Sequence, residues 1–224
     1  MSDALKNFFA LLPGTYRSVL CLNGELPSAE FFKNISLPII AADGAYNQLA
    51  KINIIPEFAI GDGDSIQHPI DPRCTWFQVE NKNNSDFEKA LKLSEEKNLS
   101  PSIVVGLNGG NLDHILHNIE IFSQTDCIGF SCHQMIVNLK KQQTFRFEKN
   151  TKLSLFGAPE CRVTTHGLRW ELNDYKLQFS YLSSCFNRTV FDEILINVQS
   201  GHCLLMVYLD ETLDKGSDLF INKI

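Results

Sequence analysis

The first part of the chain repeats one local pattern, in which a short apolar run is followed by a turn and an amphipathic segment. Residues 38–42, residues 58–60 and Ser102–Val105 have the composition of buried strands. Ala45–Lys51 and Leu112–Phe122 carry apolar residues at helical spacing. Strand, turn and helix in repeating order predict an α/β N-terminal domain with a mainly parallel sheet.

From about residue 139 helical periodicity nearly disappears, and short runs alternate apolar with polar residues. These runs are residues 144–147, 153–156, 175–179, 194–198 and 204–209. Alternation of this kind, with turns between the runs, is typical of a β-sandwich. A polar break at residues 138–143 separates the two patterns. The sequence therefore predicts an α/β domain over residues 1–138, followed by an all-β sandwich domain over residues 139–224.

Composition narrows the class of protein. The chain has 44% hydrophobic residues and a net charge of −6, which argues against nucleic acid or an anionic membrane as the main partner. Its seven cysteines include no C-x-x-C pair, as expected for buried thiols in a reducing compartment. No apolar run is long enough to span a bilayer, and the run at residues 8–12 lacks the basic opening of a signal peptide. We expect a cytoplasmic protein.

Acidic residues follow two of the predicted strands directly. Asp43 comes after residues 38–42, and the G-D-G-D-S stretch with Asp62 and Asp64 comes after residues 58–60. The carboxyl ends of parallel strands meet at one edge of a sheet, so we expect these three carboxylates to converge. Carboxylate oxygens suit Mg²⁺, which usually brings substrate phosphates with it. The alternative is a pair of ordinary Asp-Gly turns.

Two further aspartates occupy equivalent places in the repeating unit. Asp86 opens the helix that begins after Ser85, and Asp113 follows the turn that contains Gly109 and Gly110. We expect both to face the same cleft as the first three. For Asp86 the alternative is a favourable interaction with the helix dipole alone. The two glycines before a helix offer backbone N–H groups to a phosphate.

Together these residues resemble the motifs of the thiamine pyrophosphokinase family. Asp43-Gly44-Ala45 with Asn47 is similar to the first family motif, and residues 61–65 are similar to the second, G-D-x-D-S. Residues 85–91 are similar to the third motif. Residues 106–114 with Asn118 are similar to the fourth, G-x-x-G-G-R-x-D-H. In the second half, residues 163–170 resemble the T-x-G-L-x-W segment, and residues 184–187 the Ser/Asn loop that contacts thiamine. The resemblance extends from about residue 23 to residue 209.

The resemblance implies transfer of the pyrophosphoryl group of ATP to thiamine, with release of AMP. It implies that Asp43, Asp62, Asp64 and Asp86 hold one or two Mg²⁺ ions, with Asp113 as a fifth catalytic residue. The implied nucleotide-binding residues are Asn23, Asn47, Lys89, Gly109, Gly110 and Asn118. Lys82, Ser184 and Asn187 take the positions of thiamine-contacting residues. The family works as a homodimer in which the β-domain of one subunit completes the thiamine pocket of the other.

Two departures from the family motifs keep other functions open. Asn111 stands where the fourth motif has arginine, and Lys82 stands where the family has a glutamine that faces the thiamine pyrimidine. One alternative is a pyrophosphokinase for another hydroxymethyl heterocycle, such as a pterin. Another is a thiamine- or nucleotide-binding protein that has lost turnover. Trp170 is expected in the core of the sandwich rather than as a stacking platform.

Overall fold

The computed structural model describes residues 8, 16–67, 69–131 and 133–209. The strands in this part of the chain are β1 Ser18–Cys21, β2 Ile39–Ala42, β3 Phe58–Gly61, β4 Thr75–Gln78, β5 Ser102–Val105, β6 Ile128–Ser131, β7 Gln134–Leu139, β8 Gln143–Arg146, β9 Lys152–His166, β10 Tyr175–Gln178, β11 Ser184–Arg188 and β12 Glu193–Tyr208. The helices are α1 Ala29–Lys33, α2 Ala45–Lys51, α3 Asp86–Glu96 and α4 Leu112–Phe122.

The N-terminal half is a parallel sheet in the order β4-β3-β2-β1-β5-β6. The chain builds outward from β1 to β4 and then returns to place β5 on the other side of β1. The strand order therefore reverses between β1 and β5, which is where open α/β sheets form their ligand crevice. The loops after these two strands pack closely, since a Cβ at Gly24 would lie 2.2 Å from the carbonyl oxygen of Gly106. The predicted α/β fold is confirmed.

Helix α3 begins as the sequence predicts. The Ser85 hydroxyl accepts a hydrogen bond from the N–H of Glu88, and the Glu88 carboxylate accepts one from the N–H of Ser85. This reciprocal capping satisfies two N–H groups that the helix itself leaves without a partner. Phe87, Ala90 and Leu93 are buried against the sheet. The packing fixes the N-terminus of α3 beside the carboxyl ends of the strands.

The C-terminal half is built around two long strands that each take part in two layers. In one layer, residues 152–155 of β9 pair with β11, and residues 203–208 of β12 pair with β7. In the other layer, the later part of β9 pairs with β10 and the earlier part of β12 pairs with β8. Register shifts in β12 between Val198 and Cys203 make the corner, as in sandwiches whose strands change sheets at bulges. The predicted sandwich is confirmed in this form.

Strand β7 joins the two halves. It pairs antiparallel with β6 on one side and with β12 on the other, so the hydrogen-bonded ladder continues from the parallel sheet into the sandwich. Phe156, Leu204 and Met206 extend the apolar core that contains Phe122 of α4. The division of the chain after residue 138 stays a prediction.

Six of the seven cysteines lie in the described part of the chain, and all six are free thiols. Burial raises the pKa of Cys74 to about 11 and is the main cause of the raised pKa of Cys127. Five of the six thiols are buried and behave as small apolar core residues, as predicted, whereas Cys185 is exposed. Of the run at residues 8–12, only Phe8 lies within the described residues, as a buried side chain. None of the helices in the described ranges has the length and apolar character needed to cross a membrane.

Candidate active site

Three aspartates meet at the carboxyl edge of the parallel sheet. Carboxylate oxygens of Asp43, Asp62 and Asp64 all lie within 4.8 Å of one another. We call this group the three-aspartate cluster. Asp43 is buried at the end of β2, Asp62 is half-buried after β3, and Asp64 is exposed. The predicted convergence of these three side chains is confirmed.

The backbone around Asp43 holds the cluster in shape. Asp43 has a positive φ of 40°, and its N–H donates to the carbonyl oxygen of Ile60 at 2.8 Å. The N–H of Gly63 donates to Asp43 Oδ1 at 3.3 Å, and the N–H of Asp64 donates to Asp62 Oδ1 at 3.3 Å. The turn after β3 therefore wraps around the end of β2, so aspartates nineteen and twenty-one residues further along come beside Asp43.

The pKa values of Asp43 and Asp62 are shifted in opposite directions. Burial raises the pKa of Asp43, and the negative charges of Asp86 and Asp62 add to this effect. The hydrogen bond from the N–H of Asp64 lowers the pKa of Asp62, and the positive charges of Lys89 and Lys82 act in the same direction. The cluster thus keeps Asp62 ionised while the ionised form of Asp43 is destabilised.

A divalent cation matches this donor set. Three carboxylates from two strand ends supply oxygen ligands only, and their mutual repulsion is the kind of cost that a hard cation removes. Asp43, Asp62 and Asp64 are therefore the residues that would hold Mg²⁺. Clusters of exposed acids also occur without a metal, and here the burial of Asp43 distinguishes the group.

Asp86 lies next to the cluster but is not part of it. Lys89 is 7% exposed, and its Nζ lies 2.8 Å from Asp86 Oδ1 one helical turn away. Asp86 is still close enough to influence Asp43 electrostatically. Asp113 stands in the first turn of α4, where it accepts a hydrogen bond from the N–H of His114. The structure thus brings three of the five predicted aspartates together and sets Asp86 beside them, while Asp113 shares a cavity lining with Asp86.

Two cavities open on either side of Asn23. The first has a volume of about 740 Å³ and is lined in part by Asn23, Asn47, Gln48, Lys51, Ser65 and Gln67. The second has a volume of about 530 Å³ and is lined in part by Asn23, Asp86, Gly109, Gly110, Asp113 and Asn118. We call them the amide cavity and the acidic cavity. Asp64 of the three-aspartate cluster lines the amide cavity, and Asp86, which lies next to the cluster, lines the acidic one.

The predicted nucleotide-binding residues are divided between the two cavities. Asn23 lines both, Asn47 lines the amide cavity, and Gly109, Gly110 and Asn118 line the acidic cavity. Asn47 is also a structural residue, because its amide donates to the carbonyl oxygen of Ser65 and accepts from the N–H of Gln67. That these residues bind the nucleotide stays a prediction.

The polar residues of the sandwich that the sequence singles out are buried or half-buried. Asn187 is 0% exposed. Its amide nitrogen donates to the carbonyl oxygen of Trp170 at 2.7 Å and to the Ser184 hydroxyl at 3.3 Å. Its amide oxygen accepts hydrogen bonds from the N–H groups of Trp170 and Arg188. All its hydrogen-bonding capacity is thus used within the protein. Asn187 positions Trp170, and its predicted contact with thiamine stays a prediction.

The expectation that Trp170 lies in the sandwich core is wrong, because this side chain is 41% exposed. The bend of the chain before residue 170 explains the difference: Gly167 adopts a φ of 98°, and the Glu171 carboxylate accepts hydrogen bonds from the N–H groups of Gly167 and Leu168. This turn carries Trp170 out of the alternating pattern of β9. Sequence reasoning missed Glu171, for which the only signal is a carboxylate four residues after a glycine.

Gln48 is a second residue that the sequence did not indicate. Its Nε2 donates to Asn23 Oδ1 at 2.8 Å across the amide cavity rim. Asn23 in turn packs against Gly44, where a Cβ would lie 2.4 Å from Asn23 Nδ2. The glycine at the start of α2 is therefore needed for the position of Asn23.

Comparisons with known proteins agree with this arrangement. Residues 30–130 match the family model described as "Thiamin pyrophosphokinase, catalytic domain", and residues 134–203 match "Thiamin pyrophosphokinase, vitamin B1 binding domain". Thiamin pyrophosphokinase 1 of Caenorhabditis elegans is 26% identical over 227 residues, which cover 90% of this chain and 93% of that protein. Thiamine pyrophosphokinase 2 of Arabidopsis thaliana is 26% identical over 232 residues, covering 86% and 85%.

Solved structures show the same fold. The crystal structure of yeast thiamin pyrophosphokinase superposes with a TM-score of 0.76 at 18% identity, covering 94% of this chain and 92% of the yeast chain. The thiamine pyrophosphokinase of Bacillus subtilis gives a TM-score of 0.72 at 19% identity, covering 87% of this chain and 99% of that one. At these identities the likeness to solved structures concerns the fold alone.

Proposed function

Since the chain belongs to the thiamin pyrophosphokinase family, we propose that it is an ATP-dependent diphosphotransferase that converts thiamine and ATP to thiamine diphosphate and AMP. The observation that carries the proposal is the meeting of Asp43, Asp62 and Asp64 at the carboxyl edge of the sheet. These strand-end acids lie within the residues matched by the catalytic-domain model.

In the proposed reaction the hydroxyl oxygen of thiamine attacks the β-phosphorus of ATP. The new O–P bond forms, the bond between the β-phosphorus and the oxygen bridging it to the α-phosphorus breaks, and AMP leaves as the hydroxyl loses its proton. Reactions of this class depend on positioning and on neutralising phosphate charge. Bound Mg²⁺ would supply that neutralisation, held by the three-aspartate cluster with Asp86 beside it.

The chain's own residues have distinct tasks in this scheme. Lys89 holds Asp86 in place through their ion pair and contributes a positive charge near Asp62. Asp113 lines the acidic cavity, where we assign it the orientation of the acceptor hydroxyl. Gly109 and Gly110 line the same cavity in a loop with positive φ, and we assign their backbone N–H groups to an anionic oxygen.

A homodimer with shared sites is part of the proposal. The sandwich exposes large apolar side chains, among them Phe179 at 55%, Tyr181 at 85% and Phe191 at 55% exposure. Exposed groups of this size are typical of interaction surfaces. Trp170 belongs to the same half of the chain. The Arg169 guanidinium lies over its ring, 5.7 Å from the centroid, and we assign the opposite face of the ring to the cationic acceptor. The cytoplasmic location stays a prediction, supported by the free thiols of the described cysteines.

The direct test is release of AMP from ATP by the purified protein. We expect release that requires both thiamine and Mg²⁺, with thiamine diphosphate as the second product. Release with a hydroxymethyl pterin but not with thiamine would instead support a pterin pyrophosphokinase. Binding of thiamine or ATP without release of AMP would support a binding protein that has lost turnover.

A further inference from the structure

The loops that follow β1 and β5 approach each other where the strand order of the parallel sheet reverses. A Cβ at Gly24 would lie 2.1 Å from the carbonyl oxygen of Asn108. A Cβ at Gly109 would lie 2.7 Å from the backbone nitrogen of Glu25. The backbones of the two loops are therefore in direct contact along several residues.

Glu25 and Asn108 join the two loops by two hydrogen bonds. The N–H of Glu25 donates to the carbonyl oxygen of Asn108 at 2.7 Å. In the opposite direction, Asn108 Nδ2 donates to Glu25 Oε2 at 2.8 Å. Two bonds between the same two residues fix both the distance and the orientation of one loop relative to the other. We call these two contacts the loop link.

The Asn108 side chain does not serve the stability of its loop. Its Oδ1 is buried and has no hydrogen-bond partner within the described part of the chain. A buried acceptor without a partner destabilises the folded state, and an apolar side chain of the same size would remove that cost. The Nδ2 of the same amide does have a partner, which is Glu25. The contribution of the Asn108 side chain is therefore its bond to the loop after β1.

The loop after β1 is itself held on its other side. The amide of Gln48, in α2, donates to Asn23 Oδ1 at 2.8 Å. The N–H of Leu22 donates to the carbonyl oxygen of Val105 at 2.9 Å. The loop link thus ties the loop after β5 to a segment that α2 and the end of β5 hold in place.

The loop after β5 needs such support because it is rich in glycine. Gly106, Gly109 and Gly110 adopt φ values of 80°, 91° and 80°. Glycine has wide backbone freedom, so the directions of the N–H groups in this loop depend on contacts with other segments. We propose that Glu25 and Asn108 are positioning residues for the pyrophosphoryl transfer, because the loop link sets the orientation of the glycine N–H groups.

The inference rests on the proposed function for the reaction and on the loop link for the geometry. Groups that stabilise a transferring phosphoryl group act through their exact placement, and a displacement of about 1 Å can lower a rate about a hundredfold. Loss of the loop link should therefore appear in kcat even where the fold is unchanged.

Three variants of the full-length protein test the proposal. Asn108→Leu keeps the size of the side chain and removes both the bond to Glu25 and the buried oxygen. Asn108→Asp places a second carboxylate against Glu25. Asn108→Asp combined with Glu25→Gln restores a hydrogen bond with the donor and the acceptor exchanged. AMP release, urea unfolding and amide hydrogen exchange of the segment containing residues 106–110 are measured for each.

Asn108→Leu and Asn108→Asp should each lower kcat about tenfold, with KM values changed by less than about threefold. Both should speed hydrogen exchange in residues 106–110. Asn108→Leu should unfold at no lower urea concentration than the wild type, because removing the unpaired oxygen offsets the lost bond. The double variant should recover most of the kcat that Asn108→Asp loses.

Wild-type kcat and wild-type hydrogen exchange in Asn108→Leu would overturn the positioning role. A double variant with no more activity than Asn108→Asp would overturn it as well, as would losses of kcat that simply follow losses of unfolding free energy. A wild-type protein that releases no AMP would instead end the proposed function, and hydrogen exchange would still show whether the loop link holds the glycine loop.

Discussion

Gly61 lies directly against the side chain of Asp43. A Cβ at residue 61 would stand 2.4 Å from Asp43 Oδ1 and 2.7 Å from Asp43 Cβ, which is closer than such atoms approach. Gly61, the last residue of β3, therefore leaves the space that the buried carboxylate of Asp43 occupies. This is a close approach that a glycine alone permits.

Gly61→Ala should displace Asp43 and lower kcat for AMP release by about tenfold or more. Because the loss of kcat acts through the Asp43 side chain, Gly61→Ala should lower kcat much less in an Asp43→Asn background. Steady-state kinetics of the two single variants and the double variant measure this. Equal fold-losses in both backgrounds would show that Gly61 acts elsewhere.

Asp43 should lower the stability of the metal-free protein at neutral pH. Its pKa is raised by burial, so the folded state holds the proton more tightly than the unfolded state, and stability falls as pH rises from the ordinary value of 3.8 through the folded pKa. Asp43→Asn removes the buried charge and should raise the free energy of unfolding at pH 7 in the presence of a chelator.

The gain from Asp43→Asn should shrink as pH is lowered toward 3.8, because wild-type Asp43 then becomes neutral as well. Urea unfolding at a series of pH values gives the comparison. Added Mg²⁺ should favour the wild type over the variant. A variant that is less stable than the wild type at pH 7 without Mg²⁺ contradicts this reading of the site.

Asn187 should contribute more to stability than its neighbour Ser184. Asn187→Ala leaves the backbone groups of Trp170 without their partner, at a cost of about 2 kcal/mol of unfolding free energy. Ser184→Ala is the matched control, since it removes one 3.3 Å hydrogen bond and should cost about 0.5 kcal/mol. Denaturant unfolding measures both values, and similar costs for the two variants would remove Asn187 from its positioning role.

If each active site is shared between two subunits, two different inactive variants should restore activity when they are mixed. Asp62→Asn disables the cluster, and Trp170→Ala removes the exposed indole that we assign to the acceptor. If the sandwich of one subunit serves the cleft of the other, a mixed dimer keeps one intact site. Co-refolded mixtures should regain about a quarter of wild-type activity under random pairing. Hybrids that form, as judged by differently tagged subunits, and stay inactive would refute the shared site.

Short-range sequence patterns predict most of the fold. The start of α3 after Ser85 and the bounds of α2 and α4 follow from short-range patterns, and the structure has them where the sequence predicts. The convergence of Asp43 with Asp62 and Asp64 also follows, because parallel strands bring their carboxyl ends to one edge. In these cases neighbouring residues or a topological rule decide the outcome.

Other features depend on contacts that no local pattern encodes. The sequence predicts Trp170 in the core of the sandwich, but the turn at Gly167 and its hydrogen bond to Glu171 direct it outward. Asn47 and Asn187 have the residue type of a ligand contact, yet their amides bind backbone groups from other segments. An amide that binds the protein and one that binds a ligand look the same in a sequence.

The role of the three-aspartate cluster can be measured through Asp64, its exposed member, whose replacement leaves the buried packing intact. Thiamine diphosphate formation is followed across a Mg²⁺ titration for the wild type and for Asp64→Asn, with unfolding curves to establish that both are folded. We expect Asp64→Asn to lose about a hundredfold in turnover, equivalent to about 2.7 kcal/mol, and to need more Mg²⁺ for half-maximal rate. A folded Asp64→Asn protein with wild-type turnover and wild-type Mg²⁺ dependence would contradict the assignment of the cluster as the metal-binding centre.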